Sequence, residues 1–161
     1  MSVRPILLLS DVALRTPATK VTEFGPELDA LLEDLYDTMR AAPGAGLAAN
    51  QIGNPLAVAV IEAEGRRYEL INAEIVRRLG TQKEYEGCLS IPPYVAEVER
   101  SDFIHFKTRD RFGGWRKHNA AGFVARAIQH ELDHLAGKLY IDYIAKDALI
   151  YAGEPMPEDQ K

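Results

Sequence analysis

The sequence predicts an α+β fold: mostly antiparallel β-sheets packed around a central C-terminal helix, with a second helix near the N-terminus. Three observations predict it. Helical periodicity is confined to two segments, one from Pro26 to about Arg40 and one from Gly122 or Phe123 to Gly137. The residues between them break into short apolar runs separated by glycine-bearing turns. A run of strands flanked by helices, without strict strand–helix alternation, indicates antiparallel pairing.

In the first helix Leu28, Leu31, Leu32, Leu35 and Met39 recur at helical spacing, while Glu27, Asp29, Glu33, Asp34 and Asp37 face away. Pro26 suits the first helical turn and Pro43-Gly44 ends the pattern. This helix is scaffold. The small-residue run Gly44-Ala45-Gly46-Leu47-Ala48-Ala49-Asn50-Gln51 follows. Leu56 to Ile61, the turn Glu64-Gly65, and Arg67 to Asn72 then predict a hairpin. Shorter strands are expected at Cys88–Ile91, Val95–Val98, Phe103–Arg109 and Trp115–His118, the last two joined by Asp110-Arg111-Phe112-Gly113-Gly114. Residues 1–148 are expected to form one domain, and 149–161 a short, acidic, mobile tail.

A chain of 161 residues has the length of one domain and buries roughly 70 % of its extended-chain surface without disulfide staples. Apolar residues at 47 % and charged residues at 27 % exclude a disordered or membrane-dominated chain. No apolar run approaches the roughly 20 residues of a membrane span or the 7–15 or so of a signal core. A cytoplasmic protein without a membrane partner is the expectation. The net charge of −5 argues against direct nucleic-acid binding, which draws on a basic excess. Cys88 is the only cysteine, which fits a reducing compartment.

The chemistry concentrates in the second helix, where Gln129-His130-Glu131-Leu132-Asp133-His134 contains HExxH. Two histidines four apart share one helical face and can offer nitrogens to one metal, with the glutamate beside them as proton acceptor. At about 100° per residue, Phe123, Ala127, His130 and His134 form one stripe and Val124, Ile128, Leu132 and Leu135 the next, with Glu131 between them. Arg126, Gln129 and Asp133 fall on the polar side. An inward, ionised Glu131 costs several kcal/mol unless something compensates it, and a metal would. His105, in a strand, and His118, beside a turn, have no motif partners and are read as non-catalytic. Catalytic sites keep three protein ligands and an open position, so a third ligand is required. No histidine follows His134, whereas Cys88 stands upstream in Glu86-Gly87-Cys88-Leu89-Ser90. Cys88 is either that third ligand, as a thiolate, or a buried apolar residue. The residues alone admit a metallopeptidase or another N-acyl amidase.

Three segments in order resemble the peptide deformylase family. Gly44 to Gln51 matches its GxGLAAxQ signature, Glu86 to Ser90 its EGCLS, and Gln129 to His134 its QHExDH. The similarity runs from Arg4-Pro5-Ile6-Leu7 to about Asp142-Tyr143. The resemblance implies a metal-dependent hydrolase that removes the N-formyl group from the initiator methionine of nascent polypeptides and releases formate. It implies Cys88, His130 and His134 as metal ligands, Glu131 as catalytic acid/base, and Gln51 with the Leu89 N–H around the developing oxyanion. It further implies one divalent ion, iron(II) first, with zinc, nickel or cobalt accepted. Gly46 would allow close approach of an extended formyl-Met peptide, and Phe123 and Ala127 would help form the methionine pocket. Some members dock on the ribosome through a long basic C-terminal helix. Here that region is Glu154-Pro155-Met156-Pro157-Glu158-Asp159-Gln160, so only a transient ribosome encounter is expected.

Overall fold

A computed structural model describes residues 2–153. Helix α1 spans Pro26–Ala41 and α2 spans Gly122–Leu135. Among the described residues nine strands surround them: β1 Gly46–Ala48, β2 Val58–Ala63, β3 Arg66–Ile71, β4 Glu74–Leu79, β5 Gln82–Gly87, β6 Tyr94–Arg100, β7 Phe103–Arg109, β8 Trp115–Ala121 and β9 Ile150–Tyr151. They form three antiparallel three-stranded sheets, ordered β1-β2-β3, β4-β7-β8 and β5-β6-β9. The α+β architecture expected from the sequence is the one observed.

The β1-β2-β3 sheet is covered on both faces, which is why residues 58–61 of β2 read as an unbroken apolar run. Leu47, Val58 and Val60 pack on Leu28, Leu32, Leu35 and Met39 of α1. Ala59 and Ile61 face the other way, onto Val124, Ala125 and Ile128 of α2 and Ile104 and Phe106 of β7. Each of the large side chains buried here contributes about 1.5–3 kcal/mol, more than helix propensity does, so packing fixes where the helices lie. A third cluster, Ile91, Ala96, Val98, Leu139 and Tyr140, lies against the β5-β6-β9 sheet. Helix α2 is thereby held among all three sheets, with its HExxH face toward the gap between β1 and the end of β5.

Three expectations need correction. Cys88–Ile91 is a turn, closed by the Ile91 N–H donating to the Cys88 carbonyl at 2.9 Å. Its tightness lets the Ser90 N–H reach Cys88 Sγ at 3.4 Å. Residues 149–161 do not begin as a mobile tail: Ile150–Tyr151 pair with Val95 and Tyr94 of β6, and Tyr94 and Tyr151 meet edge to face at 5.8 Å. Residues 154–161 lie outside the described residues. Arg126 and Gln129 are buried, not solvent-facing, because β5 covers Arg126 through Gln82 and Glu86, and Ser101 in the β6–β7 turn pairs with Gln129. Among the described residues no helix is long and apolar enough to cross a membrane.

Candidate metal centre and substrate cleft

One turn of α2 separates His130 from His134 and sets their rings edge to face on one side of the helix, with centroids 4.9 Å apart. Their Nε2 atoms approach to 3.2 Å, and Cys88 Sγ lies 3.3 Å from His134 Nε2. The three potential ligand atoms all lie within 4.8 Å of one another. Two imidazole Nε2 atoms and a sulfur thus converge on one point, within reach of a single ion. One soft and two borderline donors around a common centre are the donor set that a transition-series divalent ion takes.

The surroundings orient these ligands. His130 Nδ1–H donates to Glu86 Oε1 at 2.7 Å, which leaves the Nε2 lone pair aimed at the common centre. Glu86 is itself pinned by Arg100, whose Nε and Nη2 each donate at 2.9 Å, and by Arg126 Nη1. Arg100 also bonds Asp133. Burial works against ionisation of Glu86, but the bonds from Arg100 and His130 outweigh it and hold its carboxyl at about 2. Asn50 Nδ2 donates to the His134 carbonyl at 2.6 Å, tying the helix end to the GxGLAAxQ segment.

Glu131 Oε1 lies 3.9 Å from His130 Nε2, and Oε2 has no partner among the described residues although it is buried. Burial is the main cause of its pKa being pushed up to about 7, against the opposing pull of His130. A carboxyl poised near neutrality can both accept and return a proton. Burial first, and the neighbouring His130 second, push His134 well below the usual histidine range and keep it neutral, as a ligand must be. His130, despite burial, is drawn up to about 10 by Cys88 and Glu86. That proton must leave when an ion takes its place.

A cleft of about 460 Å³ opens onto this cluster, lined by Gly44, Gly46, Leu89, Phe123 and Ala127 with Cys88, His130 and Glu131 at its floor. Gly46 approaches closely: a Cβ there would stand 3.0 Å from Glu131 Oε1. Gln51 Oε1 accepts from the Ala48 N–H at 2.9 Å, while its Nε2 donates to Ser90 Oγ at 3.0 Å and lies 3.7 Å from Cys88 Sγ. The Leu89 N–H donates to no protein acceptor among the described residues.

The nine candidate site residues read from the sequence therefore gather at one place. His105 and His118 do not: one bonds Asn119 and the other lies 5.5 Å from the Phe106 ring. Sequence reasoning overlooked Glu86, Arg100, Arg126 and Asp133. Only Glu86 carried a signal, as an acid two residues before the candidate ligand Cys88.

A helix that contributes two imidazoles and a buried carboxylate, with a thiol arriving from a separate turn beneath an open cleft, is the build of a metal-dependent hydrolase. The chain belongs to the peptide deformylase family: the family model described as polypeptide deformylase matches residues 3–148. It is 44 % identical over 147 residues to the peptide deformylase of Heliobacterium modesticaldum, covering 91 % of this chain and 97 % of that one. Against peptide deformylase 1 of Bacillus subtilis the identity is 42 %, covering 91 % and 92 %. The crystal structure of a peptide deformylase from Legionella pneumophila superposes with a TM-score of 0.88 at 39 % identity, covering 91 % of this chain and 89 % of that one. The chain is thus a metal-dependent enzyme that removes the N-formyl group from the N-terminal methionine of nascent polypeptides.

Proposed function

We propose that Cys88, His130 and His134 together hold the catalytic ion and that Glu131 moves the proton. Convergence of the three ligand atoms beside a buried carboxylate oxygen with no partner is the observation that carries this reading. Iron(II) is the proposed resident ion; one thiolate with two imidazoles also suits zinc, nickel or cobalt. When bound, the ion supplies Lewis acidity toward water and toward the formyl oxygen.

The chain's own groups then divide the work. The cleft receives an extended formyl-Met peptide, with Gly46 letting its backbone come close and Phe123 and Ala127 walling the methionine side chain. Water attacks the formyl carbon while Glu131 takes its proton. The Leu89 N–H and Gln51 Nε2 meet the negative charge that builds on the former carbonyl oxygen, where each such donor is worth about 3–4 kcal/mol. Glu131 passes its proton to the amine nitrogen as the C–N bond breaks, leaving formate and a free N-terminus. Residues 1–148 would constitute the catalytic unit, working in the cytoplasm on nascent chains met in transient encounters with the ribosome.

Glu131→Gln tests this assignment. Metal content should stay at one ion per chain while formate release from a formyl-Met peptide falls by at least about 10²–10⁴-fold. Turnover near the wild-type rate in the loaded variant would remove Glu131 from the mechanism.

A further inference from the structure

Acidic residues outnumber basic ones 24 to 19 along the chain, but the imbalance is not uniform. The β7–β8 hairpin, residues 103–121, holds five of the cations (Lys107, Arg109, Arg111, Arg116 and Lys117) and one acid, Asp110. Arg111 turns back onto Glu33 and Glu69, and Arg116 pairs with Asp110. The remaining three share the outward face. Lys107 stands directly opposite Lys117, and Arg109 opposite Trp115. Like charges facing each other across strands destabilise a sheet, and no described contact relieves Lys117. Among the described residues Lys107 makes one ion pair, exposed at both ends, with Glu74 at 3.4 Å. Arg77, facing His105 from β4, extends the basic row.

Aromatic surface lies within this row. Trp115 is 45 % exposed, with the Arg109 guanidinium 4.4 Å and the Lys107 ammonium 4.8 Å from its ring, and Phe112 at the hairpin tip is 93 % exposed. Cations spaced along strands around an exposed ring are what a single-stranded nucleic acid needs: charge for successive phosphates and a platform for a base. Trp115 is hemmed by cations and does not stand clear of them as an apolar wedge, which disfavours a membrane. None of these residues lines the catalytic cleft.

We infer that the outward face of β4-β7-β8, centred on Lys107, Arg109, Trp115 and Lys117, binds single-stranded RNA. RNA is the polyanion that accompanies a nascent polypeptide, which agrees with the enzyme's substrate.

Trp115 is the only tryptophan, so its fluorescence reports on this face alone. Titrating the full, metal-loaded enzyme with an oligouridylate should quench it, with a Kd on the order of 10 µM at low salt. The logarithm of the affinity should fall with the logarithm of salt concentration by about 0.7 per phosphate contacted. Lys107→Gln combined with Lys117→Gln should weaken binding about tenfold and flatten that slope by about 1.4, with formate release unchanged. If that pair folds poorly, Lys117→Gln alone should flatten it by about 0.7. An absence of quenching up to roughly 1 mM oligonucleotide would overturn the inference. So would equal quenching by heparin, which has no bases, an unchanged affinity in the charge variants, or preference for phosphatidylserine vesicles.

Discussion

Replacing Glu86 by Gln keeps the shape of the side chain and removes one charge from the most enclosed ion cluster described. The Glu86 and Arg100 side chains are 5 % and 6 % exposed and that of Arg126 is 4 % exposed, so solvent screens little of what is lost. Two buried guanidinium groups would be left around a neutral amide that can accept from them with only one oxygen. Breaking a buried pair on one side costs about 3–5 kcal/mol. In a chain of this size each kcal/mol moves Tm by roughly 2–4 °C, so a fall of about 6–20 °C is expected in the metal-free protein. Glu97→Gln provides the contrast: its pair with Lys83 is 3.4 Å long and exposed at both ends, and should be worth less than about 1 kcal/mol. Because Glu86 also orients His130, zinc affinity should drop about 10–100-fold in a competition titration. Thermal unfolding by circular dichroism, run on both variants, decides the matter. A Glu86→Gln protein no less stable than Glu97→Gln, with unchanged zinc affinity, would refute the claim that this cluster holds the centre.

The same carboxyl governs behaviour in acid. Its folded pKa of about 2 lies below the roughly 4.3 of an unfolded glutamate, so its contribution is complete above that value and is lost as pH falls toward 2. Stability measured between those limits should decline less steeply in Glu86→Gln than in wild type; parallel curves would contradict this. Gly46→Ala would drive a methyl group to 3.0 Å from Glu131 Oε1 and shift that carboxylate. Formate release should fall up to about 10²-fold with metal content unchanged, and an unaltered rate would show that the carboxylate has room to move.

What the sequence made legible depended on local repetition. Helix α1 announced itself through five apolar residues at helical spacing, and the β2–β3 hairpin through its Glu64-Gly65 turn. Strands β4 and β5 passed unnoticed because Glu74–Leu79 and Gln82–Gly87 are exposed along most of their length, so no buried alternation marks them. His130 and His134 were legible because four residues is one helical turn. Cys88 was legible as a candidate because the helix lacks a third donor. The Glu86, Arg100 and Arg126 cluster joins three elements, and nothing in the sequence around any one of them encodes the other two. Arg126 and Gln129 misled for a related reason: on a helix taken alone polar residues read as a solvent face, whereas here β5 covers the first and the β6–β7 turn the second.

X-ray absorption on the zinc-loaded enzyme addresses the metal centre most directly. Cys88, His130 and His134 as joint ligands require one sulfur at about 2.3 Å and two imidazole nitrogens at about 2.0–2.1 Å, with the sulfur shell disappearing in Cys88→Ala. A spectrum fitted by nitrogen and oxygen alone, or one that Cys88→Ala leaves unchanged, would contradict the assignment.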